Sequence, residues 1–240
     1  MDLAQILNNV LAQSGFLEKG SFTGSSDPDD RQMVAIANRT AEEIRDYYNW
    51  SGLRNTFEVE PPVSDDPDVA ARTVFALPND FRTMVPQSVW ETDGSQTVEW
   101  PTPAGRWYLY KYSSFSSGGV GRIRQYGDSI EVETPGNWEP FSFDYISKFP
   151  IRGLNNDRKE YFTADTDTWV LDDRLLMLGI QANWAEVKMF PQAGLWKNNY
   201  MQKMNEAIAR DNGGRVIGSG IARGLRSDPY YPLWRPTGGG

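Results

Sequence analysis

Four aspartates, Asp165, Asp167, Asp172 and Asp173, crowd the first half of YFTADTDTWVLDDRLLMLGIQANWAEVKMF, residues 161–190. Carboxylates at this density could hold Ca²⁺ or Mg²⁺, because hard cations take oxygen ligands. DTDTWVLDD shares only the first two acidic positions of an EF-hand loop. It lacks the central Gly and the closing Glu. The same residues can start a helix instead. Asp side chains accept hydrogen bonds from the free N–H groups of a first turn and favour the positive end of the helix dipole. An apolar helical pattern follows at once, so the sequence predicts a helix start, with no bound metal and no cofactor.

Glu131, Glu133 and Glu139 form a second acidic set, close in sequence to Trp138. Paired carboxylates beside aromatic sugar platforms suit a glycosidase, and Trp90, Trp100, Trp107, Tyr108 and Tyr110 would serve as such a platform. The alternative is structural. Alternating Glu along a strand usually forms its solvated face, and aromatics on short strands form core or subunit interface. SSGGVGRIR and GGRVIGSG are Gly-rich but lack the Lys-Ser/Thr ending of a phosphate loop, so they read as turns. Asn38-Arg-Thr and Asn49-Trp-Ser match the glycosylation pattern but fall on a predicted helix.

Composition narrows the chemistry further. The 240 residues contain no His and no Cys. That excludes Cys/His zinc sites, cysteine nucleophiles, Ser-His-Asp triads and disulfides. The formal net charge is −8, whereas proteins that grip the nucleic-acid backbone are usually basic. No apolar run reaches membrane-spanning length. The N-terminus lacks the basic n-region of a signal peptide.

The elements that position these residues follow from periodicity. Leu3, Ile6, Leu7, Val10 and Leu11 mark a first amphipathic helix capped by Asp2 and ended by Gly15. Asp27, Pro28, Asp29 and Asp30 open a second, whose apolar positions run through Val34, Ala37, Ala41, Ile44 and Tyr48. From Asn55 to about Pro150 the period changes to short alternating segments bounded by Gly, Pro, Asp and Ser, which predict an antiparallel sandwich or small barrel. Gly127 and Asp128 mark a tight hairpin within it. Leu171, Leu175, Leu178, Ala182, Ala185 and Met189 restore a helical period. A fourth helix runs from about Leu195 to Arg210.

The expected organisation is therefore α+β. Residues 1–55 and 150–212 form the two halves of a four-helix bundle, residues 56–149 an inserted β domain, and residues 213–240 an extended C-terminal arm. The arm carries four Arg and one Asp, a local charge of +3 against −11 for the remainder. Arg215, Arg223, Arg226 and Arg235 can pair with acidic groups, while Tyr230, Tyr231, Leu233 and Trp234 sit between prolines as apolar anchors. Such a segment reads as a partner-binding peptide.

This arrangement resembles the head-to-tail adaptor (connector) proteins of tailed bacteriophages, the group that includes tail tubular protein A of short-tailed phages. The resemblance rests on DPDDRQMVAIANRTAEEIRDYYNW, FALPNDF, FSFDYISK, YFTADTDTWVLDDRLLMLGIQANW and YMQKMNEAIARDNGG, in order and spacing across residues 1–214. It implies a homo-oligomeric ring in the virion neck, twelve-membered in that family, between the portal protein and the tail or nozzle protein. Viral DNA would pass through the lumen without specific binding. The resemblance implies assembly from subunits made in the bacterial host cytoplasm, an arm reaching the portal, and no catalytic residues. A carbohydrate-binding or glycan-hydrolysing β module, or another neck or tail-completion ring protein, is the competing reading.

Overall fold

The computed structural model describes residues 1–60, 74–86, 88–91, 107, 122–133 and 140–211. Four α-helices stand among them: α1 (Leu3–Gln13), α2 (Pro28–Tyr47), α3 (Asp173–Val187) and α4 (Ala193–Asp211). Their starts follow the expected chemistry. Asp2 accepts from the Gln5 backbone N–H while the Gln5 side chain accepts from the Asp2 backbone N–H, a reciprocal capping box. Asp27 caps α2 through the Asp29 N–H, with Pro28 at the first helical position. The chain leaves α1 through Gly15 at φ 81°, a left-handed conformation that a residue without Cβ adopts without strain.

One apolar core collects residues from all four helices, including Ile6, Leu7, Ile36, Ile44, Leu176, Ile180 and Met204. Helix α3 is its axis, packed on α1, α2 and α4. It is buried on several faces, which explains why its apolar stripe is broad. Gly179 is what lets its neighbours close on it. A Cβ there would lie 2.5 Å from Thr40 Cγ2 of α2 and 2.9 Å from the Tyr200 ring of α4. The polar groups at this crossing satisfy one another. Asn183 donates to Thr40 Oγ1 at 2.9 Å and to Glu43 at 3.1 Å, and Thr40 donates to the Ile36 carbonyl.

A 3-10 turn (Ser51–Leu53) delivers the chain to β1 (Arg54–Val59). The strands that follow are β2 (Val74–Ala76), β3 (Phe81–Met84), β4 (Trp90–Glu91), β5 (Arg122–Tyr126), β6 (Ser129–Glu133), β7 (Phe141–Ser147), β8 (Ile151–Arg152), β9 (Arg158–Lys159) and β10 (Thr168–Trp169). Strand β7 takes β1 on one side and β3 and β4 on the other, all antiparallel. Strands β2, β6 and β5 make a second sheet, with the expected hairpin turn at Gly127 and Asp128. Gly127 has φ 58°, as a two-residue hairpin turn requires.

A second apolar core lies among these strands, built on Val59, Met84, Ile123, Ile130, Val132, Phe141 and Phe143. Successive strand side chains point to opposite faces. Thus Phe141, Phe143 and Tyr145 of β7 join the strand core, while Ile146 joins the helical one.

The expectation of a small barrel needs correction. The described strands form three small antiparallel sheets, and no closed barrel is present among the described residues. Closure requires every strand to pair on both edges, whereas β1, β2 and β5 each pair on one side only among the described residues. The third sheet, β10-β8-β9, occupies residues that the sequence reading placed in the second half of the helical bundle. It sends Ile151 and Trp169 into the helical core. TVEW and RWYLYKY fall outside the described residues, apart from Trp107, which is buried.

The crowding at Gly179 predicts that Gly179→Ala lowers stability by about 1–3 kcal/mol, the usual cost of overpacking. Urea unfolding should show a lower midpoint with an unchanged slope. An unchanged midpoint would contradict the close approach of α2 and α4 to α3.

Candidate functional site

The four aspartates of the opening stretch separate into two pairs with different work. Asp172 is the N-cap of α3 and accepts from the Arg174 N–H at 2.9 Å and the Leu175 N–H at 3.3 Å. It also pairs with Arg210 at 2.7 Å and Lys203 at 3.5 Å on α4. Asp173 takes the first helical position and binds the N-terminal amine at 2.7 Å.

Asp165 and Asp167 do not start the helix, contrary to the sequence reading. They precede β10, in backbone that has few ladder partners of its own. Buried N–H groups there need acceptors from side chains. Asp165 receives the Thr23 N–H at 2.9 Å, the Phe22 N–H at 3.2 Å and the Ser21 hydroxyl at 2.6 Å, fixing the loop between α1 and α2. Asp167 is completely buried. It receives the Thr163 N–H at 2.7 Å, the Ala164 N–H at 2.9 Å and Lys159 Nζ at 2.9 Å. Their backbone carbonyls hold the start of α1, through Leu3 N–H to Asp167 at 2.8 Å and Ala4 N–H to Asp165 at 3.1 Å.

Electrostatics agree with this division. Burial alone would raise the carboxyl pKa of Asp165, Asp167 and Asp172. The hydrogen bonds and cations just named outweigh it and hold all three below the ordinary carboxylate range. Among the described residues no group of three or more acidic side chains converges to hold a metal. Asn38 of the first glycosylation-like triplet is also committed. It accepts the Phe162 N–H at 2.7 Å and donates back to the Phe162 carbonyl at 3.3 Å.

The glycan-site residues are only partly in view. Glu131 stands on β6 opposite Arg124 of β5 and Val74 of β2, and Trp107 is buried, which removes it from any surface platform. Trp138, Glu139, Trp100, Tyr108 and Tyr110 lie outside the described residues, as does the arm with Arg215, Arg223, Arg226, Tyr230, Tyr231, Leu233, Trp234 and Arg235.

One feature was missed by sequence reasoning. A groove of about 520 Å³ opens between the end of α1, the start of α2 and the end of α3. Phe16, Trp184 and Phe190 line it as an aromatic cluster. Phe16 and Trp184 meet edge-on at 5.0 Å, and Trp184 and Phe190 at 5.6 Å. Leu17, on its rim, is 88% exposed. Asp29 and Asp30 stand at the edge, paired with Lys188 and Lys19. The only sequence signal was the apolar pair Phe16-Leu17 placed in a loop just after the helix-ending Gly15.

No family model matches the chain, and no curated protein matches it.

Chelators should leave the melting temperature unchanged; a drop reversed by Ca²⁺ or Mg²⁺ would show a structural cation. The lowered carboxyl pKa values contribute stability that is full above the unfolded Asp value, about 3.9. It is lost as pH falls through the lower folded values. Unfolding free energy should therefore hold from pH 7 to about 5 and fall below about 4. Asp167→Asn should cost about 2–3 kcal/mol at pH 7, because Lys159 and two buried N–H groups lose a charged acceptor. It should also flatten the acid limb, and an acid limb identical to wild type in urea titrations would refute Asp167 as a source of it.

Proposed function

We propose that the chain is a structural subunit of a phage neck, forming a homo-oligomeric ring adaptor between portal and tail and leaving a conduit for the genome. In this reading the four helices act as one bundle, the strand-rich middle is a domain inserted into it, and residues 213–240 dock on the portal. The observation that carries the reading is the element order. Two capped helices precede the strand-rich middle and two follow, all four share one core, and the middle strands hold a second core of their own.

Other features support it. The chain has no His or Cys for nucleophilic or zinc chemistry, and the carboxylates singled out as candidate ligands serve as caps and loop acceptors. No catalytic role is assigned. Among the described residues no helix is long and apolar enough to cross a membrane. An acidic wall repels DNA phosphates, so a genome can slide past without the salt-dependent adhesion that a basic surface produces. Arg and aromatic residues are the usual hot spots of an interface, and the arm is rich in both. Burying Trp234 would contribute on the order of 2–3 kcal/mol per subunit.

Electron microscopy of the purified protein, alone and on portal-bearing heads, tests the ring. Closed rings coaxial with the portal are expected, and a monomer that never joins the particle would refute the proposal. Deleting residues 227–240 should leave the body folded while reducing co-sedimentation with purified heads. Full retention by the truncated chain would remove the arm from portal docking.

A further inference from the structure

The groove between α1, α2 and α3 leaves large apolar side chains in solvent. Phe16 is 48% exposed, Leu17 88% and the neighbouring Met189 89%. Met189 also holds φ 54°, an uncommon conformation for a side chain of its size. The indole N–H of Trp184 is shielded from water and has no acceptor among the described residues. An apolar opening lined by aromatics has the chemistry of a receptor for extended, proline-rich peptide.

The chain itself contains such a peptide. Residues 228–236 read DPYYPLWRP, with Pro229 and Pro232 three positions apart. A polyproline II helix has three residues per turn, so that spacing places both prolines on one edge. Arg226 and Arg235 flank the segment. The wider balance agrees, since the arm carries +3 and the remainder −11.

Reach is sufficient. Asp211, the last residue of α4, sits beside Ser51 at the end of the bundle opposite the start of α4. The groove lies near that start, because Phe190 contacts Trp196. Crossing back along a helix of 19 residues covers about 28 Å. The 17 residues between Asp211 and Pro229 can span up to about 56 Å.

We propose that the groove formed by Phe16, Leu17, Trp184 and Phe190 receives residues 228–236 of this same chain in polyproline II form. The aromatic anchors of the arm are then stowed on the body, and the apolar patch is covered in the same step, which removes a surface prone to non-specific association. Engagement of any other partner by the arm would have to displace this contact. The inference does not rest on the portal reading. Portal attachment is read by co-sedimentation with heads, and the groove contact by cross-linking in the isolated protein.

The test places a photo-activated benzophenone amino acid at Leu17 in the full-length chain and maps the cross-linked peptides by mass spectrometry. Cross-links should concentrate on residues 228–236 within one chain, in the monomer band. They should be lost in the Tyr231→Ala/Trp234→Ala variant, whose helix content and melting temperature should match wild type. A synthetic peptide of residues 226–240 should compete them away. Cross-links to another segment, to a second copy, or to none at all, would overturn the proposal. So would a cross-link to 228–236 that persists undiminished in the double variant.

Discussion

Strand β7 sits where both hydrophobic cores meet, and the rest of the molecule is arranged around the demands of burying it. All seven of its residues are buried. Phe141, Phe143 and Tyr145 fill the strand core, and Ile146 reaches the helical one. The cost of this position falls on Asp144, a carboxylate on the same strand that cannot be left without donors. Arg54 supplies one at 2.7 Å and Thr56 another at 2.7 Å, both from β1, while Ser88 bonds the Asp144 backbone. The register of β1 against β7 is thereby set twice, by apolar pairing of Phe57 with Phe143 and by these donors. A one-residue slip would turn both sets to the wrong face.

The helical part has its own fixed point in the segment before α3. Residues 160–172 run through loops and one short strand, so their backbone groups depend on side chains for partners. Asp165 and Asp167 satisfy N–H groups with their carboxylates and the start of α1 with their carbonyls. Asp2 bridges to Thr168, and the N-terminal amine reaches Asp173. Each contact is modest alone, yet those from Asp165 to Thr23 and from this segment to the start of α1 join chain segments more than 140 positions apart. Charged acceptors make stronger hydrogen bonds than neutral ones, which accounts for Asp where Asn or Ser would also have fitted.

The parts of this structure visible in the sequence are those decided within a few residues. Asp2, Asp27 and Asp172 act on N–H groups two or three positions ahead, so each cap could be read beside its helix. The Gly127-Asp128 hairpin is equally local. Asp165 and Asp167 look the same as caps on paper, but their donors include Ser21, Phe22 and Lys159 as well as near neighbours. Nothing in local pattern distinguishes the two cases. Strands β8, β9 and β10 are two residues each, too short for alternation to register. The groove arises only when Phe16, Met33 and Trp184 are brought together from three helical regions, and the absence of barrel closure among the described residues likewise depends on which edges meet.

Charge acts over limited distances, and this bears on how an acidic chain could line a conduit. At physiological ionic strength, fields fall off within about 8 Å. Carboxylates already matched by cations, such as Asp30 with Lys19 or Asp172 with Arg210, present little net field even at that range. Repulsion of a passing phosphate backbone would have to come from exposed acids such as Glu18, Glu60 and Asp128. Glu18 adjoins the groove and Asp128 the hairpin turn between β5 and β6, so these acids lie in different regions of the fold. A ring of the proposed kind would repeat each of them around its axis. In such a ring the same repetition would multiply any weak contact made by the basic arms.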